Sequence, residues 1–427
     1  MNLLGKLIEH RQNRPKDVAV KYFKKNNLFS LNWSQVYDRV EQLRSVLINL
    51  GVKEGDHVCI YANTCKEWGF LDLAIQACRA ITIPIYHSSH PDEVKVILED
   101  CNPQFIVVEN EALFKTLVRT EYPLVPNQVI SINEFDSEHP SLLFLKNIID
   151  CPKDDRGLKE VAGTIKSSDL ATIIYTSGTS GVPKGVCLTH KQIESAVADV
   201  FPLLGVTHLD CTLTFLPFSH VLGRIELWGH YFCGYTLGYA QSIERIKKNL
   251  PQIEPTVIVG VPRIFEKIYF GIKAQIEISK LKQKIFNKAV CVGMKNTRLR
   301  QEKKSPSILQ ALKTRFAYQF VFSNIHKKMG GKLRFAVSGG APLDPSIADF
   351  FSACGLPILE GYGLTETTGP IFVNTLFQNQ NGSVGQAIGD VELKFDEDKE
   401  ILIKSDKVTT GYYQNEQANA EAFTEDG

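Results

Sequence analysis

The segment at residues 175–185, YTSGTSGVPKG, concentrates groups that bind anions: four aliphatic hydroxyls, three glycines and one lysine. Glycines allow a tight turn whose backbone N–H groups can approach an anion closely. The hydroxyls are further donors, and Lys184 carries a mobile charge suited to phosphate oxygens. An ordinary hairpin turn needs far fewer donors, so we expect this loop to hold phosphate groups.

Two other functions of such a loop are excluded by its neighbours. A Walker-type phosphate loop requires Gly-Lys followed by Ser or Thr and then a helix, whereas Pro183 precedes this lysine and Gly185 follows it. The apolar runs ATIIY and GVCLTH on either side indicate two strands. The chain contains no G-x-S-x-G nucleophile elbow, so a serine hydrolase is not indicated.

The elements that must position this loop alternate between helix and strand. Residues 34–50 place apolar side chains at helical spacing, and the strand-like DHVCIYA, the helical EWGFLDLAIQACRA and the strand-like ITIPIYH follow. This alternation predicts an α/β fold with a mostly parallel sheet, in which ligands bind at the carboxyl ends of strands. Further on, VELKFDEDKEILIKS predicts an antiparallel hairpin. We therefore expect a large domain over residues 1–382 and a β-rich segment over residues 383–427.

Composition and charge narrow the class of protein. With 44% hydrophobic and 22% charged residues among 427, the chain has the composition of a globular protein. Its net charge of +1 provides no overall field for nucleic acid. The ten cysteines form no C-x-x-C pair, which leaves zinc and redox motifs unsupported. Since neither a signal peptide nor an apolar run near the ~18 residues of a membrane helix is present, we expect a cytoplasmic protein with reduced thiols.

Three further motifs follow the loop: LPFSHVLGR at 216–224, SGGAPL at 338–343 and EGYGLTETT at 360–368. In this order, and together with YTSGTSGVPKGV, they resemble the motifs of the AMP-forming adenylating enzymes, which include acyl-CoA synthetases, luciferases and peptide-synthetase adenylation domains. The resemblance extends over essentially the whole chain, and TVIVGVPRIFEKIY at 256–269 is most similar to long-chain fatty acyl-CoA synthetases. It implies two stacked, mostly parallel sheets with helices in layers and a small β-barrel that is incomplete in this chain.

The resemblance implies a two-step reaction that uses ATP, Mg²⁺ and coenzyme A. In the first step the carboxylate of a fatty acid attacks the α-phosphorus of ATP, which forms acyl-AMP and releases pyrophosphate. In the second step a thiol, normally that of coenzyme A, attacks the acyl carbon and displaces AMP. Such transfers depend mainly on positioning and on neutralisation of charge, which accounts for a loop rich in hydrogen-bond donors.

The matched motif positions imply roles for individual residues. Those assigned to the ATP phosphates are Thr176, Ser177, Gly178, Thr179, Ser180, Gly181 and Lys184. Those assigned to adenine and AMP are Gly339, Gly340, Ala341, Pro342, Glu360, Gly361, Tyr362, Gly363 and Thr365. Glu366 and Thr176 are assigned to Mg²⁺, although a carboxylate here could also cap a helix. The implied catalytic set is His220, Thr365, Glu366 and Lys184.

His220 is implied to orient or gate the acyl group, next to an acyl pocket that includes Val261 and Pro262. A histidine in an apolar segment is more often a hydrogen-bonded core residue, so both interpretations stay open. Many long-chain relatives end this motif with Glu-Arg, where the chain has Gly-Arg at 223–224. Others carry a gating tryptophan beside the arginine. Trp228 lies nearby in sequence, but the pattern does not assign it that role.

Residues 271–332 contain 15 Lys and Arg against two Asp and Glu, a net charge of +13 in a chain whose total is +1. The segment therefore indicates either a basic amphipathic region that binds membranes or a solvated helical face. Its apolar residues at helical spacing are Ile276, Leu281, Ile285, Leu309, Leu312, Phe316 and Phe320. Because fatty acids partition into membranes, we expect peripheral membrane contact. The resemblance leaves a homodimer open.

The end of the chain departs from the resembled family. There, the segment similar to NEQANAEAFTEDG is followed by a Thr-Gly-Asp motif and a lid domain, whereas this chain stops at Gly427. The resemblance therefore leads us to expect the large N-terminal portion without the lid. Three hypotheses stay open: part of a long-chain fatty acid–CoA ligase, a module that binds ATP and acyl groups with little turnover, and a ligase that passes the acyl group to a carrier-protein thiol.

Overall fold

The computed structural model describes residues 1–177, 182–302 and 304–424, and it shows two mostly parallel sheets with helices packed against them. The helices of these residues are α1 (Leu3–Asn13), α2 (Trp33–Asn49), α3 (Lys66–Ala77), α4 (Pro91–Cys101), α5 (Glu111–Val118), α6 (Leu145–Ile148), α7 (Leu158–Thr164), α8 (His190–Leu203), α9 (Val221–Cys233), α10 (Ile246–Ile253), α11 (Pro262–Glu277), α12 (Lys280–Gln301), α13 (Ile308–Ala317), α14 (Ser323–Lys328), α15 (Pro345–Ala353) and α16 (Glu416–Ala422). A 3₁₀ turn covers Ile243–Arg245, and a π-helical turn covers Tyr318–Phe322.

The strands of the described residues are β1 (Val18–Lys24), β2 (Asn27–Asn32), β3 (His57–Tyr61), β4 (Ile81–Ile85), β5 (Phe105–Val108), β6 (Val129–Ser131), β7 (Leu142–Phe144), β8 (Leu170–Ser177), β9 (Pro183–Thr189), β10 (Cys211–Thr214), β11 (Thr236–Tyr239), β12 (Val257–Gly260), β13 (Phe335–Ser338), β14 (Ile358–Leu364), β15 (Gly369–Val373), β16 (Gln386–Ala387), β17 (Glu392–Phe395) and β18 (Ile401–Lys404).

The first sheet has seven strands within the described part of the chain, in the order β7-β6-β5-β3-β4-β8-β9. Neighbouring strands are parallel except β8 and β9, which form an antiparallel hairpin. Every residue of β4 and β5 is buried, as expected for parallel strands covered by helices on both faces. The predicted alternation of helix and strand is confirmed in this sheet.

The second sheet has nine strands among the same residues, in the order β16-β15-β14-β13-β12-β10-β11-β1-β2. Its centre, from β14 to β1, is parallel, and both edges are antiparallel. Helix α3 follows β3 of the first sheet, and helix α9 follows β10 of the second sheet. Leu73 of α3 and Leu227 of α9 are fully buried in one hydrophobic cluster, so these two helices join the sheets.

Helix α2 illustrates how local sequence determines an element. Asn32 caps its start, since the Asn32 side chain accepts from the Gln35 N–H while the Gln35 side chain accepts from the Asn32 N–H, both at 2.9 Å. The apolar positions predicted from residues 34–50 face the core and are buried. The helix ends just before Gly51, whose φ of +96° favours glycine.

The C-terminal part of the described chain contains the predicted hairpin, since β17 and β18 pair antiparallel from Glu392–Lys404 to Phe395–Ile401. No closed barrel is formed by the residues up to 424. After the hairpin the chain returns to the large domain, where the buried Lys407 Nζ lies 2.6 Å from Asp199 and 2.8 Å from Asp390. The division at residue 382 stays a prediction.

The basic segment expected to be helical forms α12, α13 and α14 together with the last turns of α11. Among the helices that the structure describes, none combines the length and the apolar character needed to cross a bilayer. All ten cysteines are free.

Candidate active site

The predicted phosphate loop joins β8 to β9. Thr176 pairs with Lys184 across this hairpin. The lysine therefore lies on the second strand, whose pairing with the first strand fixes the position of its backbone. The predicted phosphate residues Gly178, Thr179, Ser180 and Gly181 lie outside the described residues, as does the side chain of Ser177. The structure thus places the two ends of the loop, Thr176 and Lys184, next to each other.

Lys184 and Glu366 meet at Tyr412, a residue to which the sequence assigned no role. The Lys184 ammonium lies 5.3 Å from the centroid of the Tyr412 ring. The Tyr412 hydroxyl donates a hydrogen bond of 2.9 Å to Glu366 Oε1. Burial raises the pKa of Tyr412 to about 12, and the hydrogen bond to the Glu366 carboxylate adds to this effect. The predicted lysine and the predicted metal ligand therefore share one neighbour, which stays a proton donor.

The irregular segment 407–413 holds this arrangement in place. Its backbone pairs with β9, since the Cys187 N–H donates to Gly411 O at 2.9 Å and the Tyr413 N–H donates to Gly185 O at 2.7 Å. It also fixes the turn that carries Glu366, whose carbonyl accepts from the Thr409 N–H at 2.7 Å. One segment thus connects the lysine strand with the glutamate turn.

The predicted adenine residues lie where three parallel strands end. Gly260 of β12 pairs with Ser338 of β13, and Ser338 pairs with Glu360 of β14, so the residues that follow these strands gather at one edge. Gly339 is buried there, and its N–H donates to Gly260 O at 3.1 Å. Gly340, with φ of +80°, begins an exposed turn in a conformation that favours glycine.

Several predicted residues belong to this same edge. Ala341 and Pro342 are exposed in the turn after β13, Gly361, Tyr362 and Gly363 are half-buried in β14, and Thr365 is half-buried just beyond it. Val261 is the residue before α11, and the buried Pro262 is its first residue. A Cβ added to Gly340 would lie 3.8 Å from Val261 Cγ1. The predicted acyl pocket and the predicted nucleotide turn are therefore neighbours.

Glu360 has a different environment from the other predicted adenine residues. It is 7% exposed, and its carboxylate accepts from the Leu343 N–H at 3.2 Å and from the Gly382 N–H at 2.9 Å. These two bonds join the turn after β13 to the loop that precedes β16. The side chain of Glu360 is thus engaged in positioning loops, and its contact with a nucleotide stays a prediction.

His220 stands directly before α9. Its ring centroid lies 4.9 Å from that of Tyr86, which follows β4 of the other sheet. Although the His220 side chain is exposed to solvent, desolvation by the surrounding atoms lowers its pKa, and the nearby His87 lowers this pKa further. The imidazole, at the start of α9, therefore contacts Tyr86 at the carboxyl edge of the other sheet.

A cavity of about 610 Å³ opens beside Tyr86 and His87. Sequence reasoning missed it, although its residues follow five strands at their carboxyl ends, where ligands of α/β folds bind. Residues from both sheets line it, including Asn63, Thr64, Tyr86, His87, Glu109 and Pro217. Asn63 is held by Glu109 Oε2, which accepts from its backbone N–H at 2.8 Å and from its amide at 2.6 Å.

Helix α9, which carries the predicted Gly-Arg pair, is anchored by a buried ion pair. Arg224 Nη2 lies 2.9 Å from Asp72 Oδ1 of α3, and both side chains are 0% exposed. The guanidinium lies 4.8 Å from the ring centroids of Trp68 and Trp228. Trp228 is therefore a buried partner of Arg224, and a gating role for it is not assigned. At Gly223 an added Cβ would lie 2.4 Å from Pro217 O, so this backbone has no room for a glutamate.

The donor set near Lys184 suits a hard cation that is shared with phosphate. No cluster of three or more His, Cys, Asp or Glu side chains that could bind a metal occurs in residues 1–177, 182–302 and 304–424. Magnesium is usually bound by one or two carboxylates together with substrate phosphates. Glu366 alone, held by Tyr412, is consistent with that mode.

Comparison with known proteins identifies the family. A model described as AMP-binding enzyme matches residues 7–413. The chain belongs to this family. The expected enzyme class, an AMP-forming acid–thiol ligase, is confirmed at that level, as is the recognition made from the four motifs.

Two relatives illustrate the similarity in sequence. The long-chain-fatty-acid–CoA ligase FadD15 of Mycobacterium tuberculosis is 31% identical over 431 residues, which cover 99% of this chain and 70% of FadD15. Long chain acyl-CoA synthetase 1 of Arabidopsis thaliana is 30% identical over 427 residues, which cover 92% of this chain and 62% of that protein. The chain thus spans about two thirds of the length of these relatives.

Solved structures confirm the fold class. The N-terminal domain of FACL13 from Mycobacterium tuberculosis has a TM-score of 0.73 at 18% identity, and the match covers 100% of this chain and 94% of the FACL13 chain. A second structure is that of the o-succinylbenzoate CoA synthetase MenE from Bacillus subtilis in complex with an acyl-adenylate intermediate. Its TM-score is 0.69 at 17% identity, and the match covers 98% of this chain and 73% of the MenE chain.

Proposed function

We propose that this chain adenylates a long-chain fatty acid with ATP, as part of a fatty acid–CoA ligase. The observation that carries the proposal is the convergence of Lys184 and Glu366 on Tyr412. The names of the relatives support a fatty acid as substrate and coenzyme A as acceptor. Family membership supports the formation of AMP.

The first step follows from the proposed roles. The fatty acid carboxylate attacks the α-phosphorus, a new P–O bond forms, and pyrophosphate leaves with the electron pair of the broken bond. Lys184 and Thr176, with the loop between them, bind the departing β- and γ-phosphates. Thr365 contacts the α-phosphate. Glu366 would hold Mg²⁺, which would neutralise charge on the phosphates.

The remaining residues position the other reactants. The turn at 339–342 lets its backbone approach AMP, and Tyr362 stacks on the adenine. His220 orients the acyl carboxylate, and Val261 and Pro262 contribute to the acyl pocket. In the second step the thiol of coenzyme A attacks the acyl carbon and AMP leaves. We also propose that the basic segment 271–332 makes peripheral membrane contact, while a cytoplasmic location and a homodimer stay predictions.

The proposal is tested by measuring the two half-reactions separately. The chain is supplied with ATP, Mg²⁺ and palmitate, with and without coenzyme A, and pyrophosphate and thioester are followed. Lys184→Ala and Glu366→Gln should each lower pyrophosphate release roughly 100-fold. The first change removes a cation that binds the departing phosphates, and the second removes the carboxylate charge that would hold Mg²⁺. Lys191→Ala is the matched control, since Lys191 pairs with Asp406 on the surface of α8 and should change the rate less than about two-fold.

The outcomes separate the hypotheses. Unchanged nucleotide affinity in the double variant Lys184→Ala with Glu366→Gln would refute the phosphate site. Nucleotide binding without pyrophosphate would indicate a binding module. Pyrophosphate without CoA thioester would indicate transfer to another thiol, such as that of a carrier protein.

A further inference from the structure

Helix α13 and the π-helical turn after it expose a row of large apolar side chains. Most exposed apolar residues of a protein occur singly, whereas five occur here within thirteen residues. Their exposed fractions are 82% for Ile308, 62% for Leu309, 59% for Leu312, 62% for Phe316 and 62% for Phe320. The opposite face of the same helix packs on the protein through Gln310 and Ala317, which are 7% and 4% exposed.

The π-helical turn keeps this row continuous. Four residues of an α-helix advance about 400°, so a row at this spacing drifts by about 40° with each step. The wider π-turn at Tyr318–Phe322 reduces this drift over the last step. The rings of Phe316 and Phe320 therefore lie side by side, with centroids 4.5 Å apart, while Phe322 is fully buried.

The charged side chains around this apolar row on α13 are all basic. Lys313 and Arg315 are exposed between the apolar positions of α13, and residues 303–332 contain no Asp or Glu. The preceding helix α12 exposes Leu281 and Ile285, at 69% and 49%, among further lysines. Apolar side chains framed by cations suit the boundary between acyl chains and anionic headgroups.

The same charges argue against a second copy of the chain as the partner. A symmetric dimer across this face would place two segments of net charge +13 against each other, and like charges at an interface are unfavourable. A bilayer that contains anionic lipid is complementary both to the apolar row and to the charge.

We propose that α13 and the π-turn dock on an anionic membrane surface, with the five apolar side chains inserted among the acyl chains and the lysines and arginine at the headgroups. This inference extends the membrane contact proposed above and does not depend on the ATP site. Docking of this kind would place the chain at the bilayer, into which long-chain fatty acids partition.

The test is co-sedimentation with vesicles of phosphatidylcholine alone and of phosphatidylcholine mixed with phosphatidylglycerol, at low and high salt. Wild type should bind the mixed vesicles, and salt should weaken that binding. Phe316→Ser with Phe320→Ser should lower binding at least ten-fold, because two inserted rings are lost. The matched control is Phe377→Ser with Phe395→Ser, since these rings are 90% and 63% exposed but lie outside the basic segment.

Three results would overturn the proposal. The first is binding of the Phe316 and Phe320 variant that equals that of the control pair. The second is equal binding of wild type to both kinds of vesicle at both salt concentrations. The third is a wild-type dimer in solution that the same variant converts to monomer, which would identify a second copy as the occupant. The urea unfolding midpoint, measured on every variant by tryptophan fluorescence, shows whether the fold is retained.

Discussion

The prediction with the largest expected effect concerns Asp72, the counter-ion of Arg224. Both side chains are 0% exposed, and the guanidinium lies between the rings of Trp68 and Trp228. Burial lowers the pKa of Arg224, and the Asp72 carboxylate opposes this shift by favouring the cation. Asp72→Ala therefore leaves a cation without a counter-ion in a site that is closed to water.

The magnitude follows from this burial. Removal of one member of a buried ion pair typically costs about 3–5 kcal/mol, which lowers the Tm by about 6–20 °C for a cooperative unit of about 150–250 residues. A surface pair of equal length is the matched control. Lys146 and Glu134 are also 2.9 Å apart but 71% and 51% exposed, so Glu134→Ala should cost about 1 kcal/mol or less.

Tryptophan fluorescence during urea unfolding is the assay, because all three tryptophans are fully buried and two of them flank the guanidinium. Asp72→Ala combined with Arg224→Met should recover most of the lost stability, since a buried ion pair is often replaceable by apolar side chains. A midpoint for Asp72→Ala equal to that of Glu134→Ala would refute the reasoning. A double variant no more stable than the single one would show that the uncompensated charge is not the cause.

Two further predictions concern single side chains. Tyr412→Phe removes the hydrogen bond to Glu366 and should lower pyrophosphate release roughly ten-fold, whereas Tyr413→Phe, whose hydroxyl accepts from a surface glutamine at 2.9 Å, should leave it unchanged. Burial raises the pKa of Glu226 to about 7, so folding favours its protonated form and the stability it contributes is lost as pH rises from about 4.5 to about 7. Glu226→Gln should therefore be more stable than wild type by about 3 kcal/mol near pH 8 and about equal to it near pH 4, as measured by urea unfolding; a difference that does not change with pH would contradict this.

Lys184 and Glu366 could be proposed from the sequence because each lies in a run whose residue types and order are specific. Tyr412 could not, because its contact with Glu366 spans 46 residues and requires segment 407–413 to return along β9. Hydrogen bonds between backbone atoms make that return, and they leave no pattern of side-chain types in the sequence.

The basic segment shows the same limit in another form. Helical spacing indicates which of its residues share a face, but not which face the rest of the protein covers. The sequence left a membrane-binding region and a solvated helical face open for the segment that contains Leu309 and Phe316. Their exposure in α13 is decided by Gln310 and Ala317, which occupy the packed side.

The position of His220 depends on residues that the motif left unassigned. Its backbone N–H donates to Pro217 O at 3.1 Å, and its carbonyl accepts from the Arg224 N–H at 3.1 Å. Gly223 permits this turn because a side chain there would meet the Pro217 carbonyl. Since Arg224 is in turn held by Asp72 of α3, the backbone of His220 is placed by the packing of α9 against α3. The glycine that departs from the family motif is thus a condition for this tight turn, and the arginine that follows it ties His220 to the core.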